Sequence, residues 1–159
     1  TPFCMTAKIL FQEVWRLGLN WDEFLPEELA DRFRSWLHGL SILREWQVPR
    51  RLSPESPWCG LTNVQLHVFC DASESAYGAA VYLSHGEVGS SKMSLICAKA
   101  RVAPLKKVTL PRLELLAALV GCRLLTHVLK CLQLPETTRT FFWSDSMIAI
   151  GWIKGDAQR

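Results

Sequence analysis

The sequence predicts an α/β fold with a mixed sheet in the order β-β-β-α-β-α, preceded by a helical segment. Three observations predict it. Residues 64–71 (VQLHVFCD) alternate apolar and polar side chains with the period of a strand. Residues 110–132 form an apolar run of helical length broken by one acid, Glu114. Residues 140–145 (TFFWSD) are a short hydrophobic run that leads into a second helical stretch. A helix between two strands of one sheet implies a parallel crossover, so the fourth strand is expected parallel to the first.

In chain order, residues 6–18 carry Ile9, Leu10, Val14 and Leu17 at helical spacing, with Gly18 as a stop. Pro26, Glu27 and Glu28 open a second helix, the acids lying near the positive end of its dipole. Leu29, Phe33, Trp36, Leu37 and Leu40 give that helix one apolar face. It is expected to end near His38 or Gly39, with a further turn through Trp46. No catalytic chemistry is visible in this first third. Residues 48–57 (VPRRLSPESP) break all periodicity. The expected division is a helical segment over 1–50, a linker over 51–63 and an α/β domain over 64–159.

Within the α/β part, the first strand runs out at Asp71. Residues 72–76 are small and polar, as a turn requires, and residues 78–83 return as a second strand. A carboxylate there could simply cap its own turn through Ser73 or Ser75. Residues 92–102 read as a third strand, which makes an antiparallel meander. Thr109 can cap the next helix, with Pro111 in its first turn. That helix is apolar nearly all round, which places it in the centre of the fold. Phe141, Phe142 and Trp143 suit a central strand buried on both faces. The strand ends in Asp145, and Ser146 opens a helix over 147–153.

Composition narrows the function classes. Nearly half of the 159 residues are hydrophobic, enough for a packed core. The net charge of +3 neither demands nor opposes a nucleic-acid partner. No apolar run is long and uncharged enough to span a membrane, and no signal peptide opens the chain. The start at Thr1 suggests a cut inside a longer polypeptide. None of Cys4, Cys59, Cys70, Cys97, Cys122 and Cys131 has zinc-site spacing. Cys70, Cys97 and Cys122 lie in apolar runs and are expected to pack as small hydrophobes in a reducing, intracellular setting. His38, His67, His85 and His127 are scattered and suggest no ligand set.

Three acids then share a logic. Asp71 ends strand one, Asp145 ends strand four, and Glu114 lies early in the helix between them. If strands one and four are parallel neighbours, both aspartates emerge at their carboxyl ends, where open sheets bind ligands. Three acids at that distance repel unless protonated or bridged by a cation. Hard oxygen donors select Mg²⁺ or Mn²⁺, and two such ions about 3.5 to 4 Å apart clamp a phosphodiester for in-line attack.

The order β-β-β-α-β-α, with FCDAS, LPRLELLAAL and FFWSDS, resembles the ribonuclease H domain of retroelement reverse transcriptases. KILFQEVWRLGLNWDEFLPEEL, VAPLKKVTLPRLEL and FWSDSMIAIGWIKG make it most similar to the BEL/Pao retrotransposon polyprotein. The resemblance covers essentially the whole chain. It implies a connection segment over residues 1–50 and a ribonuclease H-like domain after it. It also implies divalent-metal-dependent cleavage of RNA in RNA–DNA hybrids, with Asp71, Glu114 and Asp145 matching three of the family's four metal-binding acids. The fourth follows a further strand and helix, beyond Arg159, and Asp156 lies too close to the preceding helix to replace it. The domain is therefore expected to be incomplete at its C-terminus and weak or inactive in isolation. Its fourth strand would then be a hydrophobic edge open to self-association.

Lys99, Arg101, Lys106, Lys107 and Arg112 are candidate backbone contacts for the hybrid. Gln65, Ser73, Ser75, Ser144 and Ser146 are candidate hydrogen-bond donors to it. The remaining implied partners are the rest of the reverse transcriptase polyprotein, with a cytoplasmic location inside retroelement particles and no membrane. Two alternatives stand beside this reading. Similar sequences have been grouped as a Pao retrotransposon peptidase, but an aspartic peptidase needs two Asp-Thr/Ser-Gly turns sharing a proton. Asp71-Ala72-Ser73 and Asp145-Ser146-Met147 both lack the glycine. The other alternative is a non-catalytic connection domain or remnant.

Overall fold

A computed structural model describes residues 2–47, 63–86, 91–134 and 137–155. The chain divides into two compact units, Thr1–Arg50 and Arg51–Arg159. The expected linker over 51–63 lies outside the described residues except for Asn63, as do Cys59 and Asp156.

The first unit is a helical pair. Helix α1 spans Pro2–Leu17, beginning earlier than its apolar spacing indicates, and Gly18 follows at φ +67. Helix α2 spans Glu27–Gly39 and passes directly into a 3-10 helix over Leu40–Glu45. The Pro26 carbonyl accepts from the Leu29 and Ala30 N–H groups. Phe11 meets Phe33 edge-on, and Trp36 Nε1 donates to the Phe3 carbonyl at 2.8 Å. Arg32 of α2 reaches both carboxylate oxygens of Glu13 on α1. These contacts account for a packed helical pair and supply no reactive constellation.

The second unit contains β1 (Gln65–Ala72), β2 (Ala76–His85), β3 (Lys92–Val102), α3 (Leu110–Cys131), β4 (Arg139–Trp143) and α4 (Met147–Lys154). Among the described residues these strands form one sheet in the order β3-β2-β1-β4. The meander is antiparallel, and β4 pairs with β1 in parallel. Strand alternation sends Leu66, Val68 and Cys70 of β1, with Tyr77, Ala79, Val81 and Leu83 of β2, to one face. There they join Leu113, Ala117, Val120 and Val128 of α3 in a continuous core. Burying aliphatic side chains of this size stabilises by roughly 1.5–3 kcal/mol each.

Several expectations are corrected. Helix α3 is not buried all round: Leu110, Leu115, Leu119 and Cys122 are exposed, because a single helix on one sheet face covers the core with only one side. Cys122 therefore does not pack as a core hydrophobe, whereas Cys70 does. Thr109 occupies the N-cap position of α3 in extended conformation but makes no side-chain cap hydrogen bond. Strand β4 is not a central strand buried on both faces. Among the described residues it is the hydrophobic edge that a missing fifth strand would leave, with Phe141, Phe142 and Trp143 exposed by 39%, 46% and 49%.

Helix α3 ends by turning through Gln133 at φ 50. The Leu134 N–H bonds the Leu129 carbonyl and the Gln133 N–H bonds that of Lys130, the double closure usually built on glycine. This reversal returns the chain towards β4.

Candidate metal centre

The sheet register brings the two aspartates together. Phe69 of β1 is paired with Trp143 of β4. Two residues further along each chain stand Asp71 and Asp145. The two are not equivalent, however. Asp71 is still within β1, opposite Gly78 of β2, and its Oδ1 accepts from the Ala72 N–H at 2.8 Å. Asp145 lies past the end of β4, in the bend before α4. The neighbouring serines shape that bend: the Ser146 N–H donates to Ser144 Oγ at 3.2 Å, and Ser146 Oγ caps α4 by accepting from the Ala149 N–H at 3.3 Å.

Glu114 completes the group from the first turns of α3. It is only 7% exposed, and its Oε2 is buried with no hydrogen-bond partner among the described residues. Burial holds its carboxyl pKa above the usual carboxylate range, and the charges of Asp145 and then Asp71 push in the same direction. One carboxylate oxygen from each of Asp71, Glu114 and Asp145 lies within 4.8 Å of the other two.

These residues fit a hard divalent cation on two independent grounds. The donor set is three carboxylates, the chemistry that suits Mg²⁺ or Mn²⁺. A buried acceptor without a donor is costly, and a cation supplies the missing partner. The aspartates are both exposed, leaving the group open to solvent on that side.

The other residues singled out from the sequence have mixed placements. Ser73 spends its polar groups on the β1–β2 turn. Its N–H donates to the Ala76 carbonyl at 2.7 Å, and its Oγ accepts from the Ser75 and Ala76 N–H groups. The Ser75 carbonyl accepts from the Ala103 N–H, tying the turn to the segment after β3. Lys99 and Arg101 are paired with Ala79 and Tyr77, at the same end of the sheet as Asp71. Lys106 and Lys107 follow in the loop, and Arg112 lies at the start of α3. All five cations are exposed, and among the described residues none forms an ion pair.

Residues 1–146, with all three acids, match the family model described as the Pao retrotransposon-like RNaseH-like domain. The chain belongs to this family. Its mixed sheet with helices agrees with a ribonuclease H-like fold. Comparison with curated proteins and with solved structures returns no match. No described helix of this Pao-type domain is long and apolar enough to cross a membrane.

Two features of the site's surroundings are not apparent from the sequence pattern. His67, one of four scattered histidines, stacks against both Phe141 and Trp143 and accepts a hydrogen bond from Trp143 Nε1 at 3.2 Å. This ties the end of β4, just before Asp145, to β1. The second feature is Gly121, where α3 closes on β1. A glycine inside a strong helical run is the signal that could have drawn attention to it.

Proposed function

We propose that this Pao-type domain is a divalent-metal-dependent ribonuclease that cuts the RNA strand of RNA–DNA hybrids within a reverse transcriptase polyprotein, inside retroelement particles. The observation that carries this reading is the convergence of three carboxylate oxygens within 4.8 Å, one of them from a buried glutamate that has an oxygen without a hydrogen-bond partner among the described residues. Asp71, Glu114 and Asp145 would hold Mg²⁺ or Mn²⁺. When bound, such ions activate water for attack on phosphorus and stabilise the leaving oxygen. Glu114, fixed in the core, sets the inner wall of the site, and the exposed aspartates face the substrate. Lys99 and Arg101 at the same end of the sheet, with Lys106, Lys107 and Arg112 after them, form no ion pair among the described residues and would suit phosphates on either strand of a hybrid. The open β4 edge is a separate candidate for self-association, readable by sedimentation velocity.

The peptidase alternative has weaker support. A proton-sharing dyad needs two aspartates in matching glycine turns. Here Asp71 lies within a strand, Asp145 precedes a helix, and a third acid, Glu114, lies within 4.8 Å of both.

The test is cleavage of a labelled RNA–DNA hybrid by the full chain with Mg²⁺ or Mn²⁺. Activity abolished by EDTA and by Asp145→Asn, and unaffected by pepstatin, is the expected result. Cleavage by this chain is expected to be weak and to rise in a longer polypeptide that also carries the family's fourth acid. Absence of cleavage from that longer polypeptide while it binds the ion would overturn the catalytic reading in favour of a non-catalytic domain.

A further inference from the structure

Gly121 lies on α3 two turns after Glu114, on the same side of the helix and about 10.5 Å along its axis at 1.5 Å per residue. It is buried against the sheet. A Cβ placed on it would stand 2.6 Å from Cys70 Sγ, 2.8 Å from Val68 Cγ1 and 3.5 Å from Ala79 Cβ. Ordinary contact begins near 3.4 Å, so an alanine here would have to gain about 0.8 Å from its surroundings.

The sheet side is poorly placed to yield. Val68 is fully buried and β-branched, with a stiff χ1. Cys70 is buried and is bonded directly to Asp71, so moving it moves a site residue. Ala117, between Glu114 and Gly121 on the helix, is fully buried too. The displacement therefore falls largely on α3, which carries Glu114 outward with it. Gly151 of α4 provides the contrast: a Cβ there meets nothing within 4 Å.

We propose that Gly121 is a positioning residue that sets the separation between Glu114 on α3 and the aspartates on β1 and β4. This inference rests on the reading of the three acids as metal ligands. Gly121 touches neither ion nor substrate. It acts by letting α3 approach β1 closely enough for a helix-borne carboxylate to join two sheet-borne ones.

The experiment is Mn²⁺ titration calorimetry on the full chain, with circular dichroism and melting in EDTA to report folding. Gly121→Ala is expected to bind Mn²⁺ roughly 10-fold to 100-fold more weakly, the range seen when outer residues that orient metal ligands are altered. Gly151→Ala should bind as the wild type does. Adding Val68→Ala and Cys70→Ala to Gly121→Ala removes both clashing atoms and should restore most of the affinity, an outcome a general loss of stability would not give. If Gly121→Ala fails to fold, Cys70→Val presses on α3 from the strand side and should show the same weakening. A folded Gly121→Ala or Cys70→Val with wild-type affinity overturns the proposal, and so does a folded triple variant that stays weak. A wild type that binds no Mn²⁺ overturns the metal reading itself. Crystal structures of the wild type and Gly121→Ala in EDTA then decide the spacing, and an unmoved α3 sinks that too.

Discussion

The acids on the sheet and the acid on the helix are held in opposite ways. Asp71 and Asp145 are exposed, reach the site from the ends of paired strands and have water available to their charges. Glu114 is buried, reaches it from a helix packed on the core, and has an oxygen with no hydrogen-bond partner among the described residues. The electrostatic cost of gathering three carboxylates is therefore concentrated on one residue. The difference teaches where the proposed site is rigid and where it is adaptable: the core fixes one acid, and the solvent-facing edge supplies two that would be free to adjust to a substrate.

The largest expected effect treats the three acids alike. Replacing any one with its amide should lower hybrid cleavage by more than about 100-fold, beyond the range for residues that only orient ligands. Rates measured under single-turnover conditions check this. A strand aspartate whose loss is tolerated would break the symmetry of roles on which the comparison depends.

Next in size is stabilisation by metal. Mn²⁺ at 100 times its Kd should add about 2.7 kcal/mol to the native state. Thermal melts should rise accordingly in the wild type and stay near the metal-free midpoint in Asp71→Asn. An equal rise in both would place the ion elsewhere.

The pH dependence separates helix from strands. Glu114 binds its proton more tightly in the folded chain than in the unfolded one. Without metal, its contribution to stability is present below the ordinary value of 4.5 and is lost as pH rises through the folded pKa. Glu114→Gln escapes that loss. In EDTA its melting temperature should match the wild type at the acid end and exceed it increasingly as pH rises towards neutrality. Asp71→Asn and Asp145→Asn, at exposed positions, should change metal-free stability by no more than about 0.5 kcal/mol.

The smallest effect probes the tie behind Asp145. Trp143→Phe keeps the ring but removes the hydrogen bond to His67, worth about 0.5–1.5 kcal/mol. Chemical denaturation reads this directly. A loss of Mn²⁺ affinity larger than the loss of stability would show that the tie also holds Asp145 in place.

Much of this arrangement was legible in the chain because its signals are local. The period of residues 64–71 announces β1, and Asp71 stands at the end of that pattern. Asp145 after a hydrophobic run, with Ser146 ready to cap the next helix, is equally visible. The parallel β1–β4 pairing followed from the crossover helix. Less legible were features set by what packs on what. The apolar run of α3 hides that its Leu115 and Leu119 face solvent while Leu113 and Ala117 face the sheet. The Phe141–Trp143 run reads as buried on both faces, yet its three side chains are half-exposed at the edge of the sheet. The closeness of Gly121 to Cys70 and the bond from Trp143 to His67 join residues far apart in sequence, which no local pattern encodes.

The parallel pairing of β1 with β4 also has a temporal consequence. Gln65 faces Arg139 across that ladder, so nearly half the chain separates the partners and synthesis must pass Arg139 before the pair can close. Chains are synthesised from the N-terminus, and the meander of β1, β2 and β3 can assemble while the rest is still being translated. At that stage Asp71 is the only one of the three acids present. Glu114 arrives with α3, and Asp145 only once β4 has left the ribosome and docked. A nascent domain is thus without all three acids of the proposed metal centre until β4 is made, and metal capture there would report that β4 has found its place.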